Sequence, residues 1–185
     1  MTAPQLLTGR LALVTGAGQG NGRAIALGLA AHGADVVVTD IDAAMAKDTA
    51  TAIAARDRRS WSFHLDVTDT DACAALAKTI NAEIGPVAIL VNNAGIIIRE
   101  TIDSPRAHDN WRRVIDVNLN GVFNVTHAFL AALRQTHGSI INVGSIASFV
   151  GVADTLGYSP SKGGVKLLTQ SLARELAHDG IRVNA

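Results

Sequence analysis

The sequence predicts an α/β domain in which a doubly wound parallel sheet is flanked by helices. Two observations lead to this prediction. Short β-branched runs alternate with alanine- and leucine-rich stretches of helical period. The runs also lack the strict polar alternation of a half-exposed strand, which is typical of strands covered on both faces, as in a parallel sheet. Strand and helix in steady succession therefore predict right-handed crossovers within one domain.

The predicted elements follow one another in a regular order along the chain. Strands are expected at Leu11–Val14, Val36–Thr39, Ser62–Leu65, Val87–Val91, Ser139–Val143 and Ile181–Val183. Helices are expected at Arg23–Ala31, Ala43–Ala54, Ala72–Ile84, Trp111–Leu133 and Val165–Ala177. No linker rich in proline and serine, no charge run and no further repeat interrupts this order, so residues 1–185 are predicted to be one domain.

Composition excludes several classes of protein. The 16 basic and 16 acidic side chains give a formal net charge of zero, which argues against nucleic acid or an anionic membrane as partner. The longest uncharged stretch, Gln135–Ala153, contains His137 and Asn142 and therefore indicates strand and loop, not a membrane span. A single cysteine, Cys73, cannot form an internal disulfide and is expected in a helix as a small apolar residue. The first ten residues lack a basic and apolar leader, so we expect a cytoplasmic protein.

A glycine-rich loop follows the first predicted strand, where a doubly wound sheet places its ligands. It reads Thr15-Gly16-Ala17-Gly18-Gln19-Gly20-Asn21-Gly22 and leads into an alanine-rich helix. Glycines allow a tight turn and a close approach of backbone to a diphosphate, whose charge the helix N-terminus favours. A plain turn is the alternative for the loop alone. The residues expected to bind a dinucleotide here are Gly16, Gln19, Gly20, Asn21 and Gly22.

Asp40 ends the second predicted strand, 20 residues after Gly20. A carboxylate at this place can accept hydrogen bonds from the adenosine ribose hydroxyls. It also favours NAD over NADP, because a 2′-phosphate would meet a second negative group and neither Gln19 nor Ile41 supplies a cation. The alternative role for Asp40 is a helix N-cap, although Asp42 is better placed for that role.

Two further strand ends carry polar motifs. Asp66-Val67 ends the third strand, where the aspartate could bond the adenine amino group or, with Asp69, cap the next helix. Asn92-Asn93-Ala94-Gly95 closes the fourth strand, where amides could join neighbouring strands and bring backbone near the cofactor; a polar turn is the alternative. From these motifs we assign Asp66, Val67, Asn92, Ala94 and Gly95 to the cofactor site.

Tyr158 is the only tyrosine, and Lys162 follows it four residues later. On a helix these positions share a face, so phenol and ammonium can approach one ligand. A free phenol ionises near pH 10, and a neighbouring cation favours the phenolate. The pair is thus a candidate proton-transfer device, although tyrosine and lysine at this spacing are often surface neighbours. No metal site is predicted.

Together these motifs make the sequence resemble the short-chain dehydrogenase/reductase family over essentially its whole length. The shared motifs are Thr15–Gly22, Asn92–Gly95, Asn118 in Asp116-Val117-Asn118, Ser145, and Tyr158 with Lys162. They stand in the family's order, with Ser145 13 and Asn118 40 residues before Tyr158. The fold that this resemblance implies is a Rossmann-type parallel sheet.

The resemblance also implies an oxidoreductase that interconverts an alcohol and a ketone with NAD, or less readily with NADP. Tyr158 would exchange a proton with the substrate oxygen while hydride passes to or from the nicotinamide. Lys162 would hold the nicotinamide ribose and favour the phenolate, Ser145 would orient the substrate oxygen, and Asn118 would organise a water-linked proton path to Lys162. Alternatives are an NADP-dependent 3-oxoacyl thioester reductase and a non-catalytic nucleotide-sensing protein.

Three departures from the family pattern have consequences. Asn21 stands at a usually apolar position and is expected to alter the nicotinamide face, whereas Gly144 replaces a common serine with little effect. Family members also continue beyond the sixth strand with a loop at the nicotinamide, a substrate lid and a last strand. We therefore expect residues 1–185 to be a dinucleotide-binding core, with the catalytic residues, that lacks the lid and the last strand.

The substrate pocket is expected along Ile96–Arg99, Ile146–Val152 and Leu156, with Arg99 as an anchor for an anionic group and ordinary core as the alternative for Ile96–Ile98. A polyol or sugar, a hydroxy acid, a 3-oxoacyl thioester and a steroid-like ketone all stay open as substrates. The family implies a homotetramer or homodimer through helices matching Asn110–Gln135 and Thr155–His178. Trp111, Phe123 and Phe129 are candidates for that interface, with internal packing as the alternative.

Overall fold

The six predicted strands form one parallel sheet. In a computed structural model that describes residues 4–185, the strands are β1 (Leu11–Thr15), β2 (Asp35–Asp40), β3 (Ser60–His64), β4 (Ile89–Asn92), β5 (Ser139–Asn142) and β6 (Arg182–Asn184). Their order across the sheet is β3-β2-β1-β4-β5-β6, and each neighbouring pair is parallel. The doubly wound fold is confirmed. The expectation about the first ten residues falls partly outside the described range.

Helices connect the strands and cover both faces of the sheet. They are α1 (Gly20–Ala31), α2 (Ala43–Ala54), α3 (Thr70–Glu83), α4 (Ala107–Ile115), α5 (Gly121–Thr136) and α6 (Tyr158–Glu175). A π-helical turn at Asp116–Asn120 joins α4 to α5, and 3₁₀ turns follow at Ile146–Ser148 and Ala177–Asp179. The strand order reverses between β1 and β4, which is where such sheets bind ligands.

The core consists of two apolar layers, one on each face of the sheet. Leu11 and Leu13 of β1 face the layer that contains residues of α3, α5 and the end of α6, whereas Ala12 and Val14 face α1 and α2. Alternate residues point to opposite faces in a strand, and all of β1 is buried, so both faces are covered as predicted. The buried sheet holds the strand ends in a common plane.

Aspartates begin two of the helices. Asp42 Oδ1 accepts hydrogen bonds from Ala44 N at 2.9 Å and Met45 N at 3.0 Å, and Asp69 Oδ1 accepts one from Ala72 N at 2.9 Å. Each carboxylate satisfies amides that have no partner inside the helix. Because Asp42 caps α2 and Asp69 caps α3, Asp40 and Asp66 are not needed as caps.

Two predicted helices differ from those observed. The helix expected at Trp111–Leu133 is instead α4, the π turn and α5, because an extra residue enters the turn around the buried Asn118. The helix expected from Val165 begins at Tyr158; Pro160 is tolerated in the first turn, where its missing N–H removes no bond. The remaining predicted ends shift by no more than three residues.

Among the aromatic residues proposed for an interface, Phe129 was wrongly assigned. It is 1% exposed and packs in the core against the sheet, because it lies on the inner face of α5. Trp111 and Phe123 are 43% and 52% exposed and remain candidates.

Cys73 is buried in α3, in agreement with its predicted apolar role. Burial, followed by the charges of Asp69 and Asp66, raises the pKa of Cys73 to about 11. The thiolate is therefore scarce near neutrality. Within residues 4–185, every helix is too short or too polar to span a bilayer.

Candidate active site

A cleft of about 940 Å³ follows the edge of the sheet formed by the carboxyl ends of the strands. It crosses the point at which the strand order reverses. Twelve predicted site residues line it: Gly16, Gln19, Gly20, Asn21, Gly22, Asp40, Asp66, Val67, Ala94, Gly95, Tyr158 and Lys162. The structure thus brings both ends of the predicted site into one cavity. Asn92, Asn118 and Ser145 lie outside its lining.

The glycine loop has no room for a side chain at Gly16, Gly18 or Gly22. Gly16 has a φ of +59°, and a Cβ there would lie 2.8 Å from the Cα of Ala94. A Cβ on Gly22 would overlap the carbonyl oxygen of Gly16 and the amide of Asn93. Only glycine permits this close contact between β1, α1 and the end of β4. The N-terminus of α1 consequently opens on the cleft at Gly20, where its amides favour an anion such as a diphosphate.

Asp40 holds the glycine loop from the neighbouring strand. Its Oδ2 accepts a hydrogen bond from Gly18 N at 2.8 Å, and its Oδ1 accepts one from Asp42 N at 3.0 Å. Thr49 of α2 donates to Gly18 O at 3.2 Å, so Gly18 is held at both its N–H and its carbonyl. Asp40 is partly exposed and lines the cleft, which leaves its carboxylate accessible to a ribose.

Thr15 and Asn93 join the ends of β1 and β4 by reciprocal hydrogen bonds. The Thr15 hydroxyl accepts from Asn93 N at 3.0 Å and from Ala94 N at 3.1 Å. In return, the Asn93 side-chain amide donates to Thr15 O at 3.0 Å and to Gly16 O at 2.9 Å. These bonds fix the glycine loop to the Asn93–Gly95 turn, so the predicted joining of strands is observed.

Asn92 lies below the cleft floor in a buried polar network. Its amide donates to Thr126 Oγ1 at 3.0 Å and to Asn142 Oδ1 at 2.9 Å, and Asn142 donates to Thr169 Oγ1 at 2.9 Å. The side chain therefore joins β4 to β5 and α5 from below. Asn92 was predicted to belong to the cofactor site; its side chain lies outside the cleft lining, whereas its neighbour Asn93 lines the cleft.

Asp66 forms a tight polar turn at the end of β3. Its Oδ1 accepts hydrogen bonds from Thr68 N at 2.9 Å and from the Thr68 hydroxyl at 2.8 Å. An aspartate that accepts hydrogen bonds from the residue two positions further on stabilises a turn in this way. Asp66 and Val67 both line the cleft, at the same side as Asp40. This end of the cavity can therefore receive the adenosine half of a dinucleotide.

Asn118 connects the π turn to the loop after β4. Its Oδ1 accepts from Ile96 N at 2.7 Å, and its Nδ2 donates to Ile96 O at 2.8 Å and to Ser161 Oγ at 3.2 Å. The side chain is fully buried and all its hydrogen-bonding groups are engaged. Asn118 thus orients the Ile96 segment through its side chain, and its part in a proton path to Lys162 stays a prediction.

Tyr158 and Lys162 share one face of α6, with the Lys162 Nζ 5.9 Å from the centre of the tyrosine ring. The Lys162 ammonium also donates to Val143 O at 2.7 Å, at the end of β5. Burial lowers the pKa of Lys162 below its ordinary value of 10.5, because desolvation disfavours the charged form. The structure thus places a desolvated cation beside the single tyrosine at the cleft.

Ser145 begins the 3₁₀ turn after β5. Its hydroxyl accepts from Ala147 N at 3.1 Å, and Ser148 Oγ accepts from Ser145 N at 3.2 Å, a reciprocal capping box. Gly144, the residue before it, lines the cleft, whereas Ser145 itself does not. The structure places the predicted serine beside the cavity and not within its lining.

Sequence reasoning missed several lining residues. Arg113 contributes a cation from α4, Asp116 and Val117 follow it, and Val143 supplies the carbonyl that Lys162 binds. The helical spacing of Arg113 and Val117 indicates one shared face and was a usable signal. Asn93 was part of the quoted motif but was not assigned to the site.

The predicted substrate-side residues divide between two places. Ile96 and Ile97 line the main cleft, and Ile97 is 52% exposed, so it is not ordinary core. Residues 147–156 line a shallower depression of about 600 Å³. The two segments are tied together where Glu100 N donates to Asp154 O at 2.9 Å. Arg99 is exposed.

These features define a nucleotide-binding oxidoreductase domain. A family model described as short chain dehydrogenase matches residues 10–185, and the chain belongs to the short-chain dehydrogenase/reductase family. Sequence identity is 41% to (3R)-3-hydroxyacyl-CoA dehydrogenase of Rattus norvegicus, over 100% of this chain and 75% of that enzyme. It is also 41% to "Probable oxidoreductase EphD" of Mycobacterium bovis, over 92% of this chain but only 29% of that protein's length.

A solved structure shows the same fold. A gluconate 5-dehydrogenase from Burkholderia cenocepacia, in complex with NADP and tartrate, superposes with a TM-score of 0.90 at 34% identity. The match covers 97% of this chain and 71% of that one. At this identity and coverage, the likeness extends through the sheet, the glycine loop and α6.

The buried ammonium of Lys162 predicts a pH-dependent stability. A lysine with a lowered pKa in the folded state binds fewer protons there than in the unfolded state, so folding gains stability as pH rises through that value. We therefore compare the melting temperatures of Lys162→Met and the parent. We expect the variant to exceed the parent by more degrees at neutral pH than at pH 10. A difference of 1 kcal/mol corresponds to about 2–4 °C in a domain of this size.

Thermal melts of parent, Lys162→Met and Lys166→Met between pH 7 and 10 measure this effect. Lys166 lies one turn further along α6, less buried, and serves as the matched control. A gap between parent and Lys162→Met that stays constant or widens with pH would show that the Lys162 charge is not destabilising.

Proposed function

We propose that this protein is an NAD-dependent oxidoreductase that interconverts a secondary alcohol and a ketone, with Tyr158 as proton donor and acceptor. The observation that carries the proposal is the placement of Tyr158 and the buried Lys162 in the same cleft as the glycine loop. A phosphate-binding loop alone is compatible with nucleotide sensing. A titratable phenol beside a desolvated cation adds a means of proton transfer.

Each residue has a role that its contacts support. When bound, the nicotinamide supplies or accepts the hydride. In the oxidation direction, the Tyr158 phenolate takes the proton of the substrate hydroxyl as hydride leaves the carbon, and reduction reverses both transfers. Lys162 holds its ammonium 5.9 Å from the centre of the Tyr158 ring and can donate to a ribose from the end of β5.

Ser145 can orient the substrate oxygen. Its Oγ accepts the Ala147 N–H, an interaction that leaves the hydroxyl proton able to donate to an oxygen at the cleft. A donor held in place by a cap loses little freedom when it binds, which favours the oriented complex. Asn118 supports the same end of the cleft through the Ile96 segment.

The adenosine end supports NAD over NADP. Asp40 presents a partly exposed carboxylate to the cleft, next to Ile41 and not to a basic residue. A 2′-phosphate at this place would meet a like charge. The gluconate 5-dehydrogenase structure contains NADP, so the preference rests on Asp40 of this chain and not on that relative.

The substrate class that we propose rests on chemistry that the relatives share. The names of two similar enzymes specify a 3-hydroxyacyl-CoA and gluconate, and both substrates carry a secondary hydroxyl. Ile96 and Ile97 form an apolar part of the cleft lining, on the side where we expect the substrate. We propose a secondary alcohol with an apolar flank next to the reacting carbon.

Replacement of Tyr158 by phenylalanine tests the reaction class. We expect Tyr158→Phe to lower kcat about 10²- to 10⁴-fold, the usual contribution of a general acid or base, with cofactor affinity changed little. NADH formation is measured with parent and variant on a panel of gluconate, a (3R)-3-hydroxyacyl-CoA and simple secondary alcohols. Turnover by the variant near the parent rate would remove Tyr158 from the mechanism.

Asp40 variants test the cofactor preference. Asp40→Ala removes the charge and the hydrogen bonds from Gly18 N and Asp42 N, so we expect NADH affinity to fall roughly 10- to 100-fold. Asp40→Asn retains an acceptor for the loop, so we expect a smaller loss together with a narrower preference for NADH over NADPH. Fluorescence titrations with both nucleotides measure the change. Tighter binding of NADPH than NADH by the parent would contradict the proposal.

We also propose a homodimer or homotetramer in the cytoplasm. Exposed Trp111 and Phe123 give α4 and α5 apolar surface of the kind that subunit interfaces bury. Light scattering should give the mass of at least a dimer for the parent. Phe123→Glu should lower the measured mass. A monomeric mass for the parent would exclude this assembly.

A further inference from the structure

Ser161 lies in the first turn of α6, which also carries Tyr158. The roles assigned above do not explain why a serine stands at this position. It is 0% exposed and lies directly before Lys162. Its hydroxyl donates to Tyr158 O at 2.7 Å and accepts from Asn118 Nδ2 at 3.2 Å. A buried polar group with two partners in two elements connects those elements.

The direction of these bonds is fully determined. Asn118 Oδ1 must face the Ile96 N–H, and Nδ2 must face the Ile96 carbonyl, so the amide has one orientation. An amide nitrogen can only donate, and Ser161 Oγ therefore accepts from it. The single hydroxyl proton of Ser161 is left for Tyr158 O.

We propose that Ser161 is a positioning residue for Tyr158: its hydroxyl couples the Asn118 amide to the backbone of the turn that carries the phenol. Asn118 is itself fixed to Ile96, which lines the cleft. The backbone at Tyr158 is thus held relative to the cleft wall through one amide and one hydroxyl. The inference rests on the proposed role of Tyr158 in proton transfer.

Helix stability does not account for a serine at this position. Alanine is the better helix former, and a serine that bonds to the carbonyl of its own helix gives the helix little or no stability. The adjacent packing is close, since a Cβ on Gly164 would lie 2.8 Å from Leu119 of the π turn. The π turn and α6 meet at both Ser161 and Gly164, so Ser161 acts at a tight contact between two elements.

A second hydroxyl on α6 provides a matched control. Thr169 donates to Val165 O at 2.7 Å and accepts from the Asn142 amide at 2.9 Å, and it is also buried. Thr169 repeats the arrangement of Ser161 two turns further along the helix, away from the cleft lining. Thr169→Val therefore removes an equivalent hydroxyl without disturbing the turn that carries Tyr158.

The first test compares Ser161→Ala with Thr169→Val on the substrate that the parent turns over fastest. We expect Ser161→Ala to lower kcat about 10- to 100-fold, the effect of a small misplacement of a reacting group, with KM and the NADH dissociation constant within about twofold. Thr169→Val should lower the melting temperature similarly and leave kcat near that of the parent. Equal loss of kcat in both variants, or none in Ser161→Ala, would overturn the proposal.

The second test needs no turnover, because Tyr158 is the only tyrosine in the sequence. Labelling with [¹³C]tyrosine gives one set of ring resonances, which reports on this phenol alone. Ser161→Ala should displace those resonances and Thr169→Val should leave them at the parent positions. Unchanged resonances in Ser161→Ala would overturn the proposal.

Tyr158→Phe separates failure of this inference from failure of the proposed function. If Tyr158→Phe is inactive and Ser161→Ala is fully active, only the positioning role of Ser161 is rejected. An active Tyr158→Phe would reject the proton-transfer role of the phenol, and the resonance test would still show whether Ser161 positions the ring.

Discussion

The reciprocal hydrogen bonds between Thr15 and Asn93 are the interaction on which the rest of the site depends. They join β1 to β4 at the point where the strand order reverses. Without these bonds, no side chain would hold the glycine loop against the turn after β4, and the position of each would be set independently of the other. With them, the carbonyl of Gly16 is fixed against the turn, and α1 begins at a defined place. The absence of side chains at Gly16 and Gly22 follows from this close contact.

At the other end of the cleft, buried polar side chains hold neighbouring elements together, whereas at the first end glycines allow their close contact. Asn118 satisfies the backbone of Ile96, and Lys162 satisfies the carbonyl of Val143. Unpaired buried groups are costly, about 1–3 kcal/mol each, so these contacts are hard to break one at a time. The lysine charge itself opposes folding because burial lowers its pKa. A charge retained against stability is typical of a functional site.

Much of this arrangement could be predicted from the sequence, because strand ends in a parallel sheet meet at one edge. Asp40, Asp66 and the Asn93 turn lie far apart in sequence, and the alternation of strand and helix was sufficient to bring them together. The π turn could not be predicted, since the apolar pattern of residues 111–133 continues across it and only the buried contacts of Asn118 reveal it. Phe129 shows the same limit: an aromatic residue on a helix carries no sign of which face is covered.

Asp40 connects the proposed cofactor preference to the structure of the glycine loop. The carboxylate that would reject a 2′-phosphate also accepts the amide of Gly18, while Thr49 holds the carbonyl of the same residue. A change that only removed the charge would still leave the loop in need of an acceptor at that place. The proposed preference for NAD therefore rests on the β2 end and the loop together, because one side chain serves both.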